Sequence, residues 1–462
     1  MMGSSGGSRG QRLARWAAEV QWDDLAPGLQ SKVRSHLLDT LGVMCAGVET
    51  PHTRPVQRVV RGWGGTGEST VVGRGWRLPA PSAAFLNAFH ARAHTFDDTH
   101  DAGPIHPGSA VVSAALACAE AVNAPGSRFL AAVMAGYEVA TRVSASVSPS
   151  HYGRGFHNTG TCNSFGACAA AGRVLGFDAG AMIEALGVAG EGAAGLRQYQ
   201  IDGSMADTSL DGARAAQTGV VAAQFRAAGL AGPPGILDGR WGFCRVMADE
   251  ADPDRLDRGL GERYEFGDTA IKPFPSCRCT HGPIEALLAL RARHVIDPRD
   301  IEEVTVAAFA HSIEVSDRPH IRTQFDAILS HQYCAALALV KGALDLEDFG
   351  EARLADPDVR ALAARVRVVH DPSMDRAFPA AWPHRVGITL RDGRAFTLDS
   401  TNPPGTRDHP LAPGLLHEKF LRLAAPVLGR PRAEALREAV ETLDDAPDLG
   451  AFVALLQPAA GV

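Results

Sequence analysis

Residues 81–122 read PSAAFLNAFHARA (81–93), HTFDDTHDAGPIHPG (94–108) and SAVVSAALACAEAV (109–122). The outer two pieces carry apolar residues at the three-to-four spacing of buried helices. The middle piece holds three histidines and three aspartates, and Pro104, Pro107 and two glycines forbid a helix running through it. Ser109 reads as the cap of the second helix. The pattern is therefore helix, polar loop, helix, with His94, Asp97, Asp98, His100, Asp101 and His106 delivered into a helical core. Three uses compete for such a cluster: a metal site, an acid–base site, or a solvated turn. Carboxylates buried beside imidazoles orient the rings and raise their basicity, which suits proton transfer near neutral pH.

Outward from this stretch, residues 12–250 read as helix after helix. LAPGLQSKVRSHLLDTLGVMCAG (25–47), CNSFGACAAAGRVLG (162–176) and GARAAQTGVVAAQFRAAG (212–229) share the same spacing, and their small residues imply close approach of the axes. STVVGRGWRL (69–78) reads as a short hairpin. Near Ile271 the texture changes to period two in EEVTVAAFA (302–310) and RVRVVH (365–370), with a hairpin turning at Gly393 in HRVGITLRDGRAFTLDS. A helix over 328–342 lies among these strands, and helical spacing returns after TNPPGTRDHPLAP (401–413). The fold class is mostly α with an inserted α+β domain. Residues 1–11 form a flexible tail, 12–268 and 406–462 one large helical domain, and 269–405 a smaller α/β domain. A chain that crosses a domain border twice makes a cleft, a common ligand site.

Composition narrows the function. Of 462 residues 45% are hydrophobic and 21% charged, and the net charge of −7 argues against nucleic acid or an anionic membrane as partner. No apolar run reaches the roughly 18–20 residues of a membrane span, and the N-terminus lacks the apolar stretch of a signal peptide. The eight cysteines are scattered among alanines, as buried thiols in a reducing cytoplasm would be. Only four of 45 basic residues are lysines: Lys32, Lys272, Lys341 and Lys419. Lysine, unlike arginine, can give up its proton, so each is worth inspecting.

Several motif matches carry little. Gly3–Gly7 fits G-x-S-x-G without the strand–turn–helix of a nucleophile elbow. GWGGTG (62–67) fits a dinucleotide fingerprint, but helix precedes it and strand follows, the reverse of what a pyrophosphate needs. Cys277, Cys279 and His281 in PSCRCTH lack the two-residue gap and the second ligand pair of structural zinc, and no metal is assigned. No nucleophile with a paired base is evident, so covalent catalysis is not favoured.

LLDTLGVMCAG, the 85–120 stretch, GFHNTGTCNSFGACAAAGRVLGF, DGSMADTSLDGARAAQTGVVAA, IKPFPSCRCTHGPIEAL and LSHQYCAALAL occur in this order, and together they resemble the MmgE/PrpD family over nearly the whole chain. The resemblance implies a helical domain with a smaller lid domain, usually a homodimer, and no obligatory cofactor. Matched by motif, it implies a cleft carrying Thr99 and His106, His157, Lys272 and Tyr333, with Asp98 in the same motif. The family's reactions share proton transfer at a carbon beside a carboxylate, with charge building on oxygen.

Such chemistry needs a base, an acid for the departing group, and donors or a cation for the enolate. His157 is assigned as base and His106 as acid, labels that could be exchanged. Lys272 and Tyr333 are assigned to enolate or carboxylate, and Thr95, Asp98, Thr99, Asp207 and Cys277 to substrate binding. Departures from the family pattern are specific. Thr95 stands near an expected Asp, Asp207 and Asp211 near an expected Lys and His, and Cys277 where some members have His. Carboxylates in place of cations should disfavour a tricarboxylate, so poor turnover of 2-methylcitrate and cis-aconitate is expected. The expectation is a cofactor-independent lyase of dehydratase type acting on a small carboxylated or carbonyl compound. Epimerisation by α-proton exchange is the alternative, then decarboxylation, and outside enzymes a silent binding or scaffold homologue.

Overall fold

The computed structural model describes residues 6–458, except for the side chain of Asp207. Most of the tail motif Gly3–Gly7 and the last four residues of the 406–462 segment lie outside them. Small residues let the helices approach: Gly126–Val147 meets Asn158–Val174 where Gly136 faces Gly166, and a Cβ on Gly166 would sit 2.6 Å from that of Ala140. One apolar core draws on residues from Leu13 to Ile271 and again from Leu416 to Leu456. A second core, Ile284 to Leu390, is separate from it. No helix among the described residues is long and apolar enough to cross a membrane.

The period-two segments become strands. β1 (Ser69–Val71) and β2 (Trp76–Leu78) form a hairpin, and β3 (Thr99–His100) pairs antiparallel with β4 (Thr269–Ala270). β5 (Ile301–Ala308), β6 (Val366–His370), β7 (His384–Leu390) and β8 (Ala395–Ser400) build a sheet of order β6-β5-β7-β8, with only the β5–β6 pair parallel. Gly393 turns the β7–β8 hairpin with a φ of 91°.

Two local expectations fail for capping reasons. The first helix, Arg9–Glu19, begins inside the supposed tail, because Ser8 and Gln11 form a reciprocal capping box. Ser109 caps nothing: the helix Pro107–Ala121 starts earlier, with Pro107 supplying its first turn and the Ser109 hydroxyl donating to the His106 carbonyl. The helix expected over 328–342 is present as His331–Lys341, where Ser330 accepts from the Tyr333 N–H at its start, and a separate short helix, Gln324–Ile328, precedes it.

The two passages between the cores run side by side. The Ile271 N–H donates to the Gly405 carbonyl, and Gly405 holds a φ of 88° with no room for a Cβ against the Ile271 carbonyl. Gly405→Ala is expected to cost about 1–3 kcal/mol from the backbone angle alone, and more from the collision. Denaturant melts check this, and an unchanged midpoint would show that the two passages are not held together here.

Candidate active site

β3 and β4 decide where the site forms. Their pairing brings Lys272, two residues beyond β4, onto the loop that follows helix Ala80–Arg92. The Lys272 Nζ donates to the Thr95 carbonyl at 2.8 Å. Thr95 has a φ of 54°, a left-handed conformation costly for a β-branched residue, and its hydroxyl has no partner. Together these groups border a cavity of about 90 Å³ lined by residues between Arg92 and Thr208 and again between Lys272 and Trp382, on both sides of the crossing at Ile271.

Three helices point their N-termini at this cavity. His106 is the N-cap of Pro107–Ala121, His157 of Asn158–Val174 and Cys277 of Arg278–Arg293. The unpaired N–H groups of a helix start carry partial positive charge, so the cavity favours anions and developing negative charge.

The two histidines are prepared differently, with ring centroids 6.4 Å apart. His106 Nδ1 donates to the Asp98 carbonyl at 2.7 Å, which leaves Nε2 as the lone pair. Burial, with Arg92, Lys272 and His157 nearby, drives the His106 pKa well below the usual imidazole range, so the ring stays neutral. His157 Nδ1 instead donates to the Asp211 carboxylate through a short hydrogen bond, and the Tyr199 hydroxyl lies 3.2 Å from its Nε2. Burial works to raise the Asp211 pKa, but Arg92, His157 and the Gly212 N–H together hold it down. A carboxylate held ionised behind an imidazole stabilises the imidazolium.

The cations are mostly spoken for. Arg92, 1% exposed, donates from Nη1 to both Asp97 oxygens at 3.1 Å and from Nε to the Thr208 carbonyl, and lies 3.6 Å from Asp211. Arg278 straddles the Asp101 carboxylate at 3.3 and 3.2 Å. Among the described residues Lys272 alone of the lining lysines and arginines has no carboxylate in ion-pair range. Burial lowers its pKa to about 8, with Asp97 pulling the other way. Tyr152, Phe325, Leu329 and Trp382 add aromatic and aliphatic surface to the lining.

Of the residues singled out in the sequence, His106, His157, Lys272, Thr95, Thr99 and Cys277 line this one cavity. Tyr333 does not, and its assignment to the enolate is corrected. It lies in the second core, its hydroxyl donates to the Asp348 carbonyl at 2.6 Å, and it borders a different groove. Asp98 is not a substrate contact either. Its carboxylate is fully buried behind the site, accepting from Tyr137, His36 and the Gly108 N–H, while its carbonyl orients His106. Asp207 lies on helix Met205–Ala227, and its side chain is outside the described residues. Reading the sequence missed Arg92 and Tyr199, and took Asp211 only for a lost cation. Arg92 gave one signal, a basic residue closing an apolar helix five residues before Asp97. No cluster of three or more His, Cys, Asp or Glu among the described residues is arranged to hold a metal ion.

Family models for the MmgE/PrpD N-terminal domain and the MmgE/PrpD C-terminal domain match residues 11–256 and 274–445. Cis-aconitate decarboxylase of Mus musculus is 30% identical over 450 residues, 94% of this chain and 90% of that protein. Cis-aconitate decarboxylase of Aspergillus terreus is 24% identical, covering 96% of this chain and 95% of its own. 2-Methylcitrate dehydratase of Cupriavidus necator is 27% identical over 175 residues, 36% of each chain.

Proposed function

The chain belongs to the MmgE/PrpD family and is a lyase of that family, and from this premise we propose that it eliminates a group from carbon beside a carboxylate by acid–base catalysis in this cavity. The convergence of His106, His157 and Lys272 on one enclosed space carries the reading. Neutral His106, with its free Nε2, takes the proton from carbon. Charge then grows on the substrate's oxygen, where the Lys272 ammonium and three helix N-termini meet it. His157, whose Nδ1 donates to Asp211, is assigned to deliver the proton to the departing group from Nε2. These labels are exchanged relative to the sequence-based assignment, because the one proton of a neutral His106 is on Nδ1, held by the Asp98 carbonyl, which leaves Nε2 to accept.

The charge balance also bears on substrate. With Arg92 and Arg278 each occupied by carboxylates, Lys272 is left to receive one carboxylate, and the aromatic surface suits an uncharged remainder. Cis-aconitate and 2-methylcitrate are therefore expected to be turned over at least about tenfold less efficiently in kcat/KM than a monocarboxylate hydroxy acid, a gap of about 1.4 kcal/mol. Steady-state assays on a panel of acids test this, and efficient turnover of either tricarboxylate refutes the charge argument. A second reading, decarboxylation, is favoured by the names of the mouse and Aspergillus relatives. Release of carbon dioxide rather than water decides for it, and deuterium uptake without loss of mass decides for epimerisation.

A further inference from the structure

Of the four lysines that stand out in the sequence, Lys419 takes no part in the proposed reaction and does not line the cavity. It lies on helix Pro413–Leu428, which the chain reaches only after leaving the second core, and it is 4% exposed. Its Nζ stands 2.6 Å from Asp39 Oδ1, on helix Pro27–Ala46. The hydrogen bonds of that ammonium go elsewhere, to the Phe96 carbonyl at 3.1 Å and the Lys272 carbonyl at 2.9 Å. Among the described residues neither Asp39 oxygen accepts a hydrogen bond. The buried Phe96 ring presents its face to the same Nζ, with 3.8 Å to the centroid. Burial lowers the Lys419 pKa and Asp39 opposes it. The carboxylate thus keeps the group charged, while the two carbonyls fix where it points.

Both carbonyls belong to the site. The Lys272 Nζ donates to the carbonyl of Thr95, the residue before Phe96, and Arg92 holds the carboxylate of Asp97, the residue after it. Lys419 therefore ties the backbone of Lys272 to the turn that receives the Lys272 side chain. Within that turn the left-handed φ of Thr95, 54°, persists only where its surroundings enforce it. We propose that Lys419 is a positioning residue, which clamps Lys272 against Thr95 from behind the cavity and so holds the Lys272 ammonium where negative charge gathers on the substrate. The consequence for catalysis rests on the proposed lyase reaction. The clamp itself does not.

Nuclear magnetic resonance of the full-length protein carrying ¹³C,¹⁵N-lysine tests the clamp without substrate, because four lysines give four Cε–Nζ signals. Lys272→Met and Lys419→Met assign two of them by removal. Below about pH 8, where Lys272 is an ammonium, its Nζ hydrogens should exchange slowly with water in the parent. Asp39→Asn combined with Lys419→Met, which strands no carboxylate, should speed that exchange at least about tenfold, as a held bond opens. Asp39→Asn alone keeps both carbonyl bonds and should leave the Lys272 signal as it is. Free exchange in the parent, no acceleration in the double variant, or the same acceleration in Asp39→Asn overturns the proposal. The parent decides alone if the variants misfold. In turnover of the best acid of the panel, the double change should lower kcat about 10–10²-fold, the cost of misplacing a catalytic group. Made in Lys272→Met it should cost less than about twofold, since an absent ammonium cannot be misplaced. Equal losses in both backgrounds would mark a role in stability alone and overturn the positioning role. A clamp seen in the spectra with no acid turned over would leave this inference standing while the proposed reaction fails.

Discussion

Purified His157→Gln protein is expected to melt like the parent and to lose about 10²–10⁴-fold in kcat, the usual worth of a positioned proton carrier. The ring sits at a helix start where its carbonyl and backbone already serve the fold, so glutamine keeps the shape and removes only the titrating nitrogen pair. Asp211→Asn should move in the same direction by less, because the amide still meets Nδ1 but no longer stabilises the imidazolium. Lys272→Met should cost about 10²–10³-fold, as the loss of one enolate-stabilising donor does. The pH profile separates the two roles. A lysine lowered to about 8 is an ammonium below that value, so the wild-type rate should fall as pH rises through about 8. That limb should vanish in Lys272→Met and persist in Asp211→Asn. If His157→Gln and Lys272→Met, both folded, turn over like the parent, the assigned site is wrong.

Arg92→Met should be the most damaging change outside catalysis. It strands the Asp97 and Asp211 carboxylates in the interior without their shared guanidinium, a loss of about 3–5 kcal/mol. Burial already raises the Asp97 pKa above its unfolded value, with Arg92 as the main restraint. A raised carboxyl binds more protons folded than unfolded, so its contribution turns unfavourable as pH rises through that window. Without Arg92 the window extends upward, and the variant's deficit should be larger at pH 8 than at pH 5. Urea melts at both values measure it. A deficit independent of pH would mean the guanidinium acts by packing alone, and Asp97→Asn added to Arg92→Met should recover part of the stability.

Periodicity made most helices and the β5–β8 strands legible, because apolar spacing reports which face is buried and Ala- and Gly-rich faces report close packing. Helix starts were less legible, since Ser8 and Ser330 act through side-chain hydrogen bonds that only the folded loop completes. His106, His157, Lys272 and Cys277 were picked out by motif, and all four border one cavity. Tyr333 shows the limit: a motif locates a residue on a helix but not the direction of its hydroxyl, which here ends on Asp348. Arg92 and Asp211 escaped because a charge partner 119 residues away is visible only in three dimensions.

The bond between Ile271 and Gly405 has an evolutionary reading. A polypeptide that enters and leaves a subassembly through one doorway has already met the entropic demand of closing the enclosed loop at that point. Doubling the enclosed length adds only about 0.6 kcal/mol. The region between the two residues can thus change length at small cost so long as Lys272, at its start, keeps its place on Thr95, while His106 and His157 stay anchored outside it.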